Sequence, residues 1–246
     1  MLLKLLQSAL ARDRHNSCNR CYKWGGELVE QLKPKALLDV GCGDGAQLFK
    51  YLTHKPDLFC GIEGLESLKE KAEARGLKIK NCDLNGPWPY ADNSFDVVHS
   101  AQVIEHLHNT RMFASEAFRV LKPGGTAVIA SENLTSFLNL GAMTFGYTPF
   151  SLIRVCGWSI GNPLGLHYGT TDEEDVPMTD PAYAGINGHI RILSVLQAKE
   201  LFERIGFNAI VGSIGLMPIP DLIGRHLEKL MSRRGHFLTI EARKPK

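Results

Sequence analysis

The 246-residue chain has no apolar run long enough to cross a bilayer, which takes about 20 consecutive residues. It has no internal repeat and no low-complexity tract, so solenoid and fibrous classes are set aside. It carries little net charge: 28 basic against 26 acidic residues leave +2. No nucleic-acid or membrane footprint is written into that total. Six cysteines are scattered along the chain (Cys18, Cys21, Cys42, Cys60, Cys82, Cys156). That is the pattern of reduced thiols in a cytoplasmic protein, not of a disulfide framework. Cys18-x-x-Cys21, with His15 nearby, lacks a second pair of ligands at proper spacing, so no metal site is expected.

What is present is ordinary for a globular protein: 44% hydrophobic and 22% charged residues in a length that suits one domain, or one domain plus a small insertion. The N-terminal MLLKLLQSALARDR is interrupted by Lys4 and Gln7 and has no cleavage site of the usual small-residue kind. It reads neither as a signal peptide nor as a span. Leu2, Leu3, Leu5, Leu6, Ala9 and Leu10 share one side of a helix, expected to pack on the body. The alternative is contact with lipid or a partner.

The informative stretch is LLDVGCGDG, Leu37 to Gly45. Ala36 to Val40 reads as a buried strand, with Asp39 its odd member. Gly41, Gly43 and Gly45 let the chain turn tightly and let a ligand approach the backbone. Ala46 to Tyr51 restarts with helical character. Free amides and the helix dipole there would favour an anionic or hydrogen-bond-accepting ligand. Gly41-x-Gly43-x-x-Ala46 fits the loose dinucleotide pattern; a bland turn fits as well.

The rest of the chain is regular. Leu58–Glu63, Leu77–Cys82, Phe95–Ser100 and Thr126–Ser131 read as strands; Leu65–Arg75 and Asn109–Leu121 read as helices. Lys122-Pro123-Gly124-Gly125 is read as the break before the fifth strand. The alternation predicts a parallel α/β sheet. Residues 132–190 are irregular and rich in Gly, Pro, Asn and aromatics, with an acidic run, Asp172 to Asp175, read as a solvated loop. Ser194 and Gln197 make a possible capping box for a helix that Gly206 stops. Phe207–Ile214 and Phe237–Ala242 are the last two strands, joined by a long connection.

Taken in order, these segments resemble the class I S-adenosylmethionine (SAM) methyltransferases. Leu38–Gly45 resembles motif I. Glu63 lies at the end of the second strand, some 20 residues after the turn, where an acid accepts from ribose hydroxyls. Asp83-Leu84 resembles the pair that meets the adenine. Pro89–Val98, Gln102–Leu107 (QVIEHL) and Leu121–Gly125 complete the series, which covers roughly residues 36–131. The resemblance implies a doubly wound, mostly parallel seven-stranded sheet with an antiparallel last strand, and SAM as cofactor with S-adenosylhomocysteine as product. It implies cofactor contacts at Asp39, Gly41, Cys42, Gly43, Glu63, Gly64, Asp83, Leu84 and Gln102. Asp39 is expected to order the turn or to reach the ligand's ammonium through water.

Methyl transfer is an in-line displacement from a good leaving group, so positioning supplies most of the acceleration. A base is needed only where the acceptor must lose a proton. His106 and His189 are the candidates, with His189 and Arg191 (Gly-His-Ile-Arg) on the acceptor side; His108 is expected to be exposed. No Asn/Asp-Pro-Pro-aromatic tetrad follows strand four, where Ser100-Ala101-Gln102-Val103 stands. This counts against amino-methylating nucleic-acid enzymes of that type. The expected layout is a single domain: 1–35 helical, 36–131 cofactor core, 132–190 an acceptor cap, 191–246 completing the sheet. Phe137, Phe145, Tyr147, Phe150, Trp158, Tyr168 and Tyr183 would give the cap apolar walls. The expected acceptor is a small molecule, a lipid-linked intermediate or a glycan, methylated on O or N. The rivals are a SAM-binding protein without catalysis and an NAD-dependent oxidoreductase.

Overall fold

The computed structural model describes residues 2–152, 161–164 and 188–246. Cys156, Trp158, Tyr168, Tyr183 and the acidic run from Asp172 to Asp175 lie outside the described residues.

β1 (Ala36–Val40) is buried along its whole length, as the near-continuous apolar run of a strand covered on both faces requires. It pairs in parallel with β2 (Leu58–Ile62) on one side and β4 (Phe95–Ala101) on the other. β3 (Lys78–Lys80) continues the parallel pairing beyond β2, and β5 (Leu121–Glu132) beyond β4. With β6 (Asn208–Ile214) and β7 (Phe237–Arg243) the sheet has seven strands in the order β3-β2-β1-β4-β5-β7-β6. β7 runs against β5. Gly124 and Gly125 exchange backbone bonds with Lys244 near one end, and Asn133 donates to His236 at the other. The mostly parallel sheet and its antiparallel last strand match the expectation from sequence.

The helices are α1 (Leu2–Leu32), α2 (Ala46–Phe49), α3 (Glu66–Ala74), α4 (Thr110–Val120), α5 (Phe137–Thr144), α6 (Val195–Ile205) and α7 (Asp221–Leu227). Asn109 caps α4 by accepting from the Met112 amide at 3.0 Å, and Ser136 caps α5 from the Asn139 amide at 3.2 Å.

α1 is one helix of 31 residues, inside the stretch expected to be helical; Cys18 and Cys21 lie on it, and the buried Cys21 thiol donates to the Leu238 carbonyl. Two elements differ from the sequence reading. β5 begins at Leu121, not Thr126: Leu121 pairs with Phe95 ahead of a register shift, and backbone bonds with Lys244 hold Gly124 and Gly125 of the Lys-Pro-Gly-Gly segment. The long connection before β7 contains α7.

The chain forms two compact units. The first, the glycine-turn unit, gathers Tyr22–Ser131, Leu196–Val211 and Thr239–Lys246. Its core includes Val29, Leu37, Cys42, Leu48, Phe59 and Val97. Within it, Gly26 of α1 faces Tyr51 so closely that a Cβ there would lie 2.5 Å from the ring, and a Cβ on Gly25 would touch His99. Hydrogen atoms in place of side chains let this part of the helix settle onto its neighbours.

The second, the α5 unit, gathers Met1–Cys21, Glu132–Val195 and Gly212–Leu238. Leu10 and Ala11 of α1 pack there with Leu138 and Ala142 of α5, Phe150 and Met217. This corrects the expectation of an aromatic-walled pocket for the aromatics that are described. Phe150 is core, Phe137 lies under the Arg234 guanidinium, and Phe145 and Tyr147 face solvent at 79% and 47% exposure.

Candidate functional site

The glycine turn leaves the carboxyl end of β1, where ligands collect in open α/β sheets. Its glycines all take positive φ: +67° at Gly41, +56° at Gly43 and +78° at Gly45. They do so for different reasons. A Cβ on Gly41 would run into Val103 at 2.4 Å, and one on Gly45 would press on Leu77 at 3.3 Å. Those two glycines serve packing. A Cβ on Gly43 would meet nothing within 4 Å, and neither would one on Gly64 just past β2. Both open onto space that a ligand can fill.

The turn's amides correct one expectation. The Gly41 and Cys42 N–H groups both donate to the Ile62 carbonyl, at 2.8 and 3.1 Å, and the Gly45 N–H donates to the Cys42 carbonyl. They are used in folding the turn back on β2, so they are not free to cradle a ligand. The Gly43 N–H donates to Glu63 Oε2 at 2.8 Å, and the Leu65 N–H donates to Glu63 Oε1 at 2.9 Å. One carboxylate thus ties the glycine turn to the loop after β2. Each oxygen accepts one amide, and a carboxylate has about four acceptor sites, which leaves capacity for a pair of hydroxyls. Burial and the nearby carboxylates of Asp39 and Glu63 push the Cys42 thiol far up. It stays protonated and is no nucleophile.

Asp39 has a partner that the sequence reading did not name. Parallel pairing sets it opposite His99 of β4, and the buried carboxylate meets His99 Nδ1 at 2.7 Å. An acid inside a strand needs such a partner; the His99 signal lay in FDVVHS, beside the acid's own strand. Asp83 is exposed, and its Oδ1 accepts from both the backbone and the side-chain amide of Asn85 at 2.9 Å. Those bonds hold its carboxyl below the usual range. Leu84 follows in the same turn. Gln102 sits directly after β4 with φ +57°. Among the described residues its Nε2 is buried without a hydrogen-bond partner, a cost that a ligand or water would relieve. Glu105, unremarked in the sequence motif QVIEHL, is fully buried and accepts from the Ser131 hydroxyl at 2.9 Å. His106 is half-buried in the short 3-10 turn that follows β4, and His108 is exposed.

The α5 unit holds its own polar cluster. Glu132, at the end of β5, is fully buried and pairs with the Arg14 guanidinium. His189 Nδ1 lies 2.8 Å from the Ser151 carbonyl and 3.8 Å from Glu132 Oε2. A carbonyl only accepts, so Nδ1 carries the proton and Nε2 is the basic nitrogen of the neutral ring. His236, fully buried, meets the Ser136 hydroxyl at 3.1 Å; burial pushes its pKa down to about 4. Arg191 is exposed. Arg14, Glu132 and His236 were not singled out in the sequence, since they are far apart along the chain.

An adenosyl ligand fits what the glycine-turn unit offers: two glycines opening onto space, a carboxylate with acceptor capacity, and a buried amide donor with no partner among the described residues.

Residues 38–129 match the methyltransferase domain family. A protein of Mycolicibacterium smegmatis named a probable S-adenosylmethionine-dependent methyltransferase is 29% identical over 161 residues, 58% of this chain and 59% of that one. Ajmaline N-methyltransferase of Rauvolfia serpentina is 37% identical over 108 residues, 41% of this chain and 37% of that one. The chain therefore spans less than two thirds of the length of these relatives. A Thermotoga maritima structure, described as a SAM-dependent methyltransferase and possible histamine N-methyltransferase, superposes with a TM-score of 0.55 at 17% identity. It covers 92% of this chain and 91% of that one. Domain match, strand order and motif series agree: residues 38–129 carry a methyltransferase domain, on the fold shared by SAM-dependent methyltransferases.

Proposed function

We propose that this chain transfers a methyl group from SAM to an O or N atom of a small-molecule, lipid-linked or glycan acceptor. The observation that carries the cofactor half is the open face of Gly43 and Gly64 beside the Glu63 carboxylate. Glu63 accepts from the ribose hydroxyls, as charge-assisted bonds favour. Gln102 Nε2 donates to the ligand, and Asp83 and Leu84 serve its base. Gly41 and Cys42 shape the turn, and Asp39 orients His99.

When bound, SAM supplies an electrophilic methyl carbon on a sulfonium leaving group. The chain's contribution is orientation, exclusion of water and, where the acceptor must lose a proton, a base. His189 is assigned that role, with its ring oriented by the Nδ1–H bond to the Ser151 carbonyl. Arg191 is assigned to a carboxylate or phosphate of the acceptor, and His106 is the second candidate base. No helix among the described residues is long and apolar enough to cross a membrane.

Calorimetric titration with S-adenosylhomocysteine and with NAD tests the cofactor, and an acceptor screen read by release of S-adenosylhomocysteine tests the transfer. Binding of NAD in place of S-adenosylhomocysteine would overturn the assignment. Tight SAM binding with no product from any acceptor would leave a binding protein.

A further inference from the structure

The α5 unit contains a short element whose two faces are both unusual. Helical turns persist beyond α7: Met231 donates to the Leu227 carbonyl and Arg234 to the Met231 carbonyl, both at 2.9 Å. At helical spacing, Gly224 and Glu228 are buried, with Leu227 and Met231 half-buried between and beside them. Both carboxylates of the segment are held on that side. The Arg20 guanidinium binds Asp221 and Glu228, and Glu228 also accepts from the Gly215 amide at 2.8 Å.

The outer face is left with no acid. It carries Leu222, Ile223 and Leu230 at 68%, 56% and 81% exposure. Between them stand Arg225 and Lys229, followed by Arg233 and Arg234. Among the described residues none of these four side chains has a carboxylate partner. Among the described residues, the Arg234 side chain reaches the Thr135 carbonyl and the Phe137 ring.

Apolar side chains standing in solvent among cations of one sign are the mark of a helix lying in a lipid interface. The apolar tips enter the boundary between headgroups and chains, and the cations meet anionic headgroups. A nucleic acid would use the cations but has no use for three projecting aliphatic side chains. We propose that the outer face of residues 222–234 docks on an anionic lipid surface. This binding is independent of which acceptor is methylated, because it concerns residues outside the cofactor and acceptor assignments.

The test is sedimentation of the full chain with vesicles of phosphatidylcholine alone or with 30% phosphatidylglycerol (about that fraction gives a surface potential of tens of millivolts). The expected result is binding to the anionic vesicles and none to the neutral ones. Each basic residue near such a surface contributes about fivefold, so Arg225→Glu with Lys229→Glu should weaken binding at least about 25-fold. Leu222→Ser with Leu230→Ser should weaken it at least about tenfold, since two of the three projecting aliphatic side chains are lost. Unchanged affinity for S-adenosylhomocysteine certifies that the variants fold. Absence of wild-type binding to anionic vesicles overturns the proposal, as does full binding by either variant. Binding to a polyanion such as heparin that matches vesicle binding and is unaffected by the Leu→Ser pair would assign the face to a nucleic acid or acidic partner instead.

Discussion

Glu63→Ala should weaken S-adenosylhomocysteine binding and loosen the ligand-free protein at once, by amounts that can be separated. The carboxylate accepts the Gly43 amide at 2.8 Å and the Leu65 amide at 2.9 Å. Both donors are then left to water in a half-exposed loop, which costs the free protein about 1–2 kcal/mol. For a chain of this size that is a drop in Tm of roughly 2–8 °C. Loss of the ribose contacts removes a charge-assisted pair worth roughly 2 kcal/mol net, or about 30-fold in Kd. Glu63→Gln is the sharper variant. Its carbonyl oxygen can keep one amide, but its NH2 group confronts the other N–H, donor against donor. It should fall between wild type and Glu63→Ala in both Tm and Kd. Calorimetry gives the affinities and thermal denaturation without ligand gives the stabilities. A folded Glu63→Ala that binds S-adenosylhomocysteine as wild type does would refute the ribose assignment. A Tm unchanged from wild type would refute the account of the loop.

Gly43→Val should abolish cofactor binding with native-like circular dichroism, since its Cβ enters open space and only φ is strained; Gly41→Ala, whose Cβ meets Val103 at 2.4 Å, should lower Tm by several degrees instead. His189→Ala should lose turnover while keeping S-adenosylhomocysteine affinity, and Arg191→Ala should raise KM for the acceptor; full activity in both, measured in a methyl-release assay, removes them from the acceptor side. His236 has its pKa depressed from 6.5 to about 4 by burial, so below pH 6.5 the unfolded chain binds the extra proton and stability falls as pH drops toward 4. The loss at pH 5 is about 2 kcal/mol from this group, and His236→Gln should flatten the Tm-against-pH curve between pH 7 and pH 5.

The cofactor side was legible in the sequence because its residues lie within one stretch and each strand end announces itself. LLDVGCGDG and the acid 20 residues on sit where the register of β1 and β2 brings them together. What the motif could not say is which glycine does what. Gly41 and Gly45 depend on Val103 and Leu77, side chains remote in sequence. Lys122-Pro123-Gly124-Gly125 reads as a break by composition, yet tertiary pairing with Lys244 holds it in β5. α7 was missed because its outer face mixes leucine and arginine, where an amphipathic pattern expects one or the other. The Arg14–Glu132 pair was out of reach, joining residues 118 positions apart.

Gly25 and Gly26 also say something about the order in which the chain folds. Two glycines in a helix interior cost about 2 kcal/mol relative to alanine, so the stretch Tyr22–Leu32 has little helical tendency of its own. Its helix exists because Tyr51 and His99 are already where the missing side chains allow contact. Sheet strands β1 and β4, joined by the Asp39–His99 pair, must therefore come together first, and this part of α1 is recruited onto them. In a refolding experiment with pulse-labelled amide exchange, protection at Val40 and Val98 should precede protection at Leu28 and Val29. The motif at the ligand site and the helix behind it thus belong to one assembly step, in which the strand that presents the glycine turn also decides when the N-terminal region becomes a helix.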